Sequence, residues 1–163
     1  MFLPQMFTAA LFPVFSNFFV GDKAKLFWGY EKAFKLLFIL GLPIAVGGTL
    51  LSRKIILLFY GSAFTNSILA LQILVWALLF VFLNFNIGTV LNAINKQRQL
   101  TLNAGVCVLV NVGLNLLLIP RFSFLGASVA TVITEATLFV LGFYWMRKEC
   151  SNLPLLRIVI KPI

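Results

Sequence analysis

Residues 100–120 read LTLNAGVCVLVNVGLNLLLIP, and residues 121–146 continue RFSFLGASVATVITEATLFVLGFYWM. The first piece holds twenty uncharged residues from Leu100 to Ile119, enough at about 1.5 Å of rise per residue to cross a hydrocarbon layer of roughly 30 Å. Pro120 and Arg121 interrupt the apolar run, and a second one follows from Phe124 to Met146, twenty-three residues with Glu135 as the single charge. Both read as transmembrane helices. Glu135 falls near the middle of its span, where an acid is costly.

Working outward from these two helices, the same composition recurs. Of the 163 residues, 61% are hydrophobic and only 10% charged, more apolar surface than a soluble core of this size hides. Every backbone polar group inside a bilayer must be satisfied within the chain, so the spans are helices and the fold class is all-α. We expect a polytopic helical membrane protein of about four complete spans plus a partial one at the N-terminus, near residues 33–52, 68–94, 100–119 and 124–146, with 1–20 as the partial span. The whole chain reads as one membrane domain. Its beginning, uncharged but carrying Pro4 and Pro13, has no basic leader of the signal-peptide kind and reads as the end of a helix that starts earlier.

The connecting segments are basic. GDKAKLFWGYEKAFK (21–35) sets four lysines beside Trp28 and Tyr30, the composition of a headgroup-level loop or short amphipathic helix. Span 33–52 carries Gly41, Pro43, Gly47 and Gly48, residues that permit kinks and close helix approach. Arg53 and Lys54 end it, and IILLFYG (55–61) reads as a short interfacial piece. Span 68–94 places Asn84, Gly88 and Asn92 on one face. Assigning alternate loops to alternate sides puts ten cations (Lys23, Lys25, Lys32, Lys35, Lys96, Arg98, Arg147, Lys148, Arg157, Lys161) against three (Arg53, Lys54, Arg121). The positive-inside bias makes the first side, with the C-terminus, cytoplasmic. The expected location is the cell membrane.

Several function classes fall away. The net charge of +9 is spread between apolar runs and forms no contiguous face, so no nucleic-acid partner is expected. There is no histidine, and four scattered acids make no metal cluster. Cys107 lies inside a span and Cys150 beyond the last one, so no disulfide between them is expected. No catalytic or cofactor motif is present, and the chain does not read as an enzyme.

Glu135 admits two readings: a proton or cation coupling group on a hydrophilic pathway, or a protonated acid bonding to an asparagine of a neighbouring helix as interhelical glue. Asn111, Asn115 and Asn84 are its companion candidates for the pathway. Arg53 and Arg121, on the less basic side, are candidates for contact with anionic headgroups, unless they only snorkel to the interface. The row Gly126, Ala130, Thr134 and the adjacent row Ala127, Thr131, Glu135 form a small-residue packing face.

The stretch LNAINKQRQLTLNAGVCVLVNVGLNLLLIPRFSFLGASVATVITE (91–135) resembles the C-terminal region of Wzx-type polysaccharide-biosynthesis flippases of the multidrug/oligosaccharidyl-lipid/polysaccharide exporter superfamily. LFPVFSNFF (11–19), GLPIAVGGTLLSRKIILLFYGSAF (41–64) and LQILVWALLF (71–80) fit the same pattern in the same order. The resemblance implies membrane transport: alternating access that flips a lipid-linked oligosaccharide, the polysaccharide repeat unit, across the cytoplasmic membrane. It implies the lipid bilayer and that substrate as partners, no cofactor, and a proton or Na+ gradient as the candidate driving force. Such flippases have two lobes, so a missing N-terminal lobe or a second copy is the expected protein partner. A small multidrug-type exporter acting as an oligomer, and a non-transporting scaffold or remnant, stand as the alternatives.

Overall fold

The computed structural model describes Pro13, Phe15, Asn17 and residues 23–149. Three α-helices make up almost all of them: α1 (Lys23–Phe59), α2 (Ser67–Ala93) and α3 (Gln97–Glu149), with a 3-10 turn at Ser62–Phe64. The described residues contain no strand, and all three helices are long and apolar enough to cross a membrane. The expected partial span over 1–20 and the tail from Cys150 lie outside the described residues, save for the three near the start.

Two boundaries differ from the expectation. The basic segment 21–35 is not a separate element: α1 begins at Lys23 and runs on to Phe59, past Arg53 and Lys54. Lysine and arginine are good helix formers, and nothing between 53 and 59 breaks a helix. The break comes at Gly61, whose φ of 79° favours glycine. At 37 residues α1 is about 55 Å long, more than a bilayer core needs, so its ends lie at headgroup depth. There Lys32 sits 3.8 Å from the centre of the exposed Trp28 ring, and Glu31 pairs with Lys35 at 2.9 Å, one turn on.

The two expected spans 100–119 and 124–146 form one helical stretch with a reversal inside it. Pro120 is accommodated within the helix, and the backbone leaves helical geometry only at Ser123, at φ 52°, ψ −133°. Contacts between residues 103 and 145, 111 and 134, and 118 and 126 show that the chain folds back on itself. α3 is therefore a hairpin of two antiparallel arms, 97–122 and 124–149, with almost no loop. Positive φ at a serine is costly and persists because the packed arms hold it.

α2 is the centre of the assembly: thirteen of its 27 residues are buried. It runs antiparallel to α1, with Gly48 against Val75 and Gly41 against Leu79. It runs parallel to the second arm of α3, with Asn84 against Glu135 and Ile87 against Gly142. Lipid tails are as apolar as leucine, so these contacts rest on close packing through small residues rather than on a hydrophobic drive. Tilted rings of Tyr30, Phe34, Phe139 and Phe80 succeed one another at centroid distances near 6 Å and tie α1, the second arm and α2 together. Such pairs contribute about 0.5–1.5 kcal/mol each. The first arm is the outermost element, with Leu109, Leu116 and Leu117 among its most exposed side chains.

One core cluster gathers Leu26, Tyr30 and Ala33 of α1, Ile87 to Ile94 of α2 and its following turn, and Met146 of the second arm. The start of α1, the end of α2 and the end of α3 thus share one end of the molecule. Lys32, Lys35, Lys96, Arg98, Arg147 and Lys148 belong to that end, and Arg53, Lys54 and Arg121 to the other.

Candidate functional site

Asparagine and glutamate meet at mid-height between α2 and the second arm of α3. The uncharged α2 sequence presents Asn84, Gly88 and Asn92 one turn apart. On the second arm two adjacent rows serve two neighbours. Gly126, Ala130 and Thr134 face the first arm, while Thr131 and Glu135 face α2. Asn84 Nδ2 donates to the Glu135 carboxylate at 2.9 Å and also to its backbone carbonyl at 3.1 Å. One amide therefore fixes both the side chain and the main chain of the acid. Among the described residues the other carboxylate oxygen, Oε1, accepts no hydrogen bond, and Glu135 forms no salt bridge.

This pair lies at the junction of two open clefts. Toward the basic end, Val81, Asn84, Phe85, Gly88, Thr89, Asn92, Glu135 and Leu138 line a cleft of about 510 Å³. Toward the other end, Leu71, Leu74, Val75, Leu78, Val81, Thr131 and Glu135 are among the lining of a second, of about 290 Å³. Glu135 and Val81 belong to both. The first cleft carries amides, a hydroxyl and the carboxylate; the second is almost wholly aliphatic. A methyl group on Gly88 would meet nothing within 4 Å, so its face of α2 opens into the first cleft.

The remaining candidates lie elsewhere. Asn111 Nδ2 donates to Thr134 Oγ1 at 3.0 Å, and Asn115 Nδ2 donates to Asn111 Oδ1 at 2.9 Å. Cys107 Sγ donates to the Thr134 carbonyl at 3.8 Å, and the Trp145 indole donates to Asn103 Oδ1 at 3.2 Å. Asn103, Cys107 and Asn111 of the polar stripe are thus spent on the second arm and Asn115 on Asn111, and neither Asn111 nor Asn115 lines the clefts around Glu135. Arg53 and Arg121 are exposed at the end opposite the basic one.

Gly88, Thr89 and Asn92 were not singled out for the pathway, although the spacing 84, 88, 92 marks two of them. Asn86 was missed altogether. It is fully buried and its Nδ2 donates to the Tyr30 carbonyl at 3.3 Å, joining α2 to α1. Only the rotational setting of α2 between its two neighbours tells Asn86 from Asn84.

A double-mutant cycle on Asn84→Ala and Glu135→Leu reads the strength of the side-chain contact. Interhelical polar contacts in membranes average about 0.6 kcal/mol and reach about 1.7. The backbone carbonyl of residue 135 remains an acceptor in every variant, so the cycle reads the carboxylate bond alone and a coupling energy near the average, about 0.6 kcal/mol, is expected from unfolding in mixed micelles. Additivity of the two single variants would show that the pair does not interact.

Comparison with known proteins agrees with this architecture. A family model described as the lipid II flippase MurJ matches residues 2–161. The lipid II flippase MurJ of Bacillus subtilis is 28% identical over 154 residues, covering 91% of this chain and 28% of that protein. An uncharacterised membrane protein of Methanocaldococcus jannaschii, MJ1068, is 28% identical over 141 residues, covering 86% of this chain and 28% of its own length. The chain thus spans little more than a quarter of these relatives. No solved structure matches it.

Proposed function

This chain belongs to the lipid II flippase MurJ family, and from that premise we propose that it forms part of a membrane transporter that flips a lipid-linked saccharide from the cytoplasmic to the outer leaflet. The family consists of transporters rather than enzymes, and the expected exporter superfamily stands, though the match is to the lipid II branch rather than to the Wzx type. Lipid II, named by the family, is the first substrate we assign. The polysaccharide repeat unit is the competing one, since the resemblance to exporter-superfamily flippases implies a sugar headgroup joined to its lipid through a pyrophosphate.

The observation that carries this reading is the Asn84–Glu135 pair opening on a polar cleft in the middle of otherwise apolar helices. Unsatisfied polar groups cost several kcal/mol in hydrocarbon. A passage whose wall offers amide donors and a carboxylate acceptor lowers that cost for sugar hydroxyls. Among the described residues no cation lines either cleft, so this wall suits the saccharide rather than the pyrophosphate. We assign capture of the phosphates to the lysines and arginines of the basic end, which the positive-inside rule makes cytoplasmic together with the C-terminus. Arg53 and Arg121 are assigned to anionic headgroups of the opposite leaflet. Glu135 is the coupling group through which a proton or Na+ gradient resets the transporter. The rest of the two-lobed body is a second lobe or a second copy.

The test is reconstitution of the protein, purified from its source membrane with whatever copurifies, in vesicles bearing lipid II labelled on its sugar. The label should become accessible to an impermeant reagent on the far side faster than in protein-free vesicles. Faster movement of a lipid-linked repeat unit than of lipid II would shift the substrate, and no acceleration of either would refute the flippase reading.

A further inference from the structure

We infer that the start of α1 is a face for phospholipid headgroups: its outward lysines hold the phosphates of the leaflet on the basic side about 10 Å deeper than that leaflet lies beside the α3 hairpin, thinning the bilayer next to α1. This rests on the chain's place in a membrane. It adds to the proposed function a surface along which headgroups come closest to the height of Glu135, and it does not depend on which lipid is flipped.

The heights follow from contacts between helices. Tyr30 of α1 meets Asn86 of α2, and Gly41 meets Leu79, so Glu31, Lys32 and Lys35 lie between the heights of those two α2 residues. Asn84, which bonds Glu135, lies in the same interval. Snorkelling is already spent: the Lys32 ammonium turns back over Trp28, and that of Lys35 turns back to Glu31. The pair with Glu31 still stops at the height of Asn86, about 10 Å short of the end of α2 at Ala93.

The hairpin is apolar at that height and beyond it. Its second arm runs uncharged from Ala136 to Met146, and Leu102, Val106, Val140 and Tyr144 are among its exposed side chains. Hydrocarbon therefore covers the hairpin at a height where α1 carries charge. On α1, Trp28, Lys32 and Lys35 share one stripe opposite the buried Leu26, Tyr30 and Ala33, so the lysines face away from the protein. Ammonium groups beside an exposed tryptophan suit phosphates at the lipid boundary. The uncharged part of α1 is short: Leu36 to Ser52 rises about 26 Å, against about 40 Å for the 27 uncharged residues of α2. A span shorter than the hydrocarbon layer draws the bilayer in.

A rigid tilt does not resolve the mismatch. Gln72 precedes Asn84 by as many residues as Ser123 precedes Glu135, and it bonds the Thr49 carbonyl. Thr49 thus stands level with the turn of the hairpin, and Arg53 only about 6 Å beyond it. Lifting the lysines by about 10 Å would pull Arg53 and Lys54 into hydrocarbon, where charge is costly.

Spin-label depth decides this. In a Cys107→Ala, Cys150→Ala background, single nitroxides enter through Trp28→Cys on the outward stripe, Val140→Cys on the hairpin and Leu58→Cys at the outer end of α1. All three positions are exposed, and Val140 lies between the heights of Asn84 and Ile87. Lys32→Cys replaces the first should Trp28→Cys fold poorly. The protein sits in vesicles of phosphatidylcholine and phosphatidylglycerol, where collisions with oxygen report hydrocarbon and collisions with a nickel chelate report water and headgroups. The chelate-to-oxygen ratio should be about tenfold higher at 28 than at 140, and as high at 58 as at 28. Equal, low ratios at 28 and 140 would mean that hydrocarbon covers α1 and the leaflet is not drawn in. Equal, high ratios would mean that the boundary lies at that height all round the protein. A low ratio at 58 would mean that the molecule tilts in a flat bilayer. Each of these three results overturns the inference. None of them involves movement of labelled lipid II, so failure here and failure of the flippase reading are told apart.

Discussion

Replacing Gly126 by alanine should destabilise the α3 hairpin by about 3 kcal/mol, at the upper end of what overpacking costs. A Cβ at residue 126 would lie 2.5 Å from the Leu118 carbonyl oxygen, 2.6 Å from its carbonyl carbon and 2.9 Å from its Cβ. Two of these are backbone atoms, so no rotamer change gives relief. The arms must move apart, which strains the reversal at Ser123 and lengthens the bonds from Cys107 and Asn111 to Thr134. Gly105 lies on the same hairpin with open space around it. Alanine there should be neutral or slightly stabilising, because glycine in a helix costs roughly 0.5–1 kcal/mol relative to alanine. Thermal unfolding in detergent compares the two. Equal melting temperatures for the variants would show that the arms do not approach as closely as described.

Glu135→Gln carries the second large effect, on transport rather than stability. Glutamine keeps the size of the side chain and an oxygen able to accept from Asn84, so unfolding should change by no more than about 1 kcal/mol. It removes the titration. If Glu135 couples transport to a gradient, the variant should lose gradient-driven flipping by about tenfold or more, within the usual range of coupling free energies, and its residual rate should no longer vary with pH. Glu135→Leu separates the roles further. It also removes the side-chain acceptor for Asn84 Nδ2, leaving only the backbone carbonyl, and should cost stability as well as transport. Undiminished flipping by Glu135→Gln at every pH, measured in the labelled-lipid vesicles, would reduce Glu135 to a helix-joining residue.

Much of the candidate site could be read in advance, but not its partition. Glu135 was conspicuous as one acid in twenty-three residues, and the regular spacing of Asn84, Gly88 and Asn92 marked a face. The spacing of Asn103, Cys107, Asn111 and Asn115 is equally regular, yet the first three serve the contact between the arms and Asn115 bonds Asn111 on its own arm. Periodicity locates a polar face but not the helix that the face meets. Thr134 and Glu135 make the point most sharply: neighbours in sequence, they point about 100° apart on the helix, one to the first arm and the other to α2.

By itself the sequence determined that the chain is all-helical and membrane-embedded, because length, apolar content and the need to satisfy the backbone in lipid allow nothing else. It also determined the charge asymmetry, because basic residues can lie only where the chain leaves the hydrocarbon. The tertiary structure decided that 21–35 continues into α1, that the last two apolar runs share one hairpin closed at Gly126, and that Asn84 rather than Asn111 or Asn115 holds Glu135. These depend on how far each helix is rotated about its axis and how closely two backbones can approach. Both are set by the small residues and side-chain shapes of the neighbouring helix, which no single segment contains.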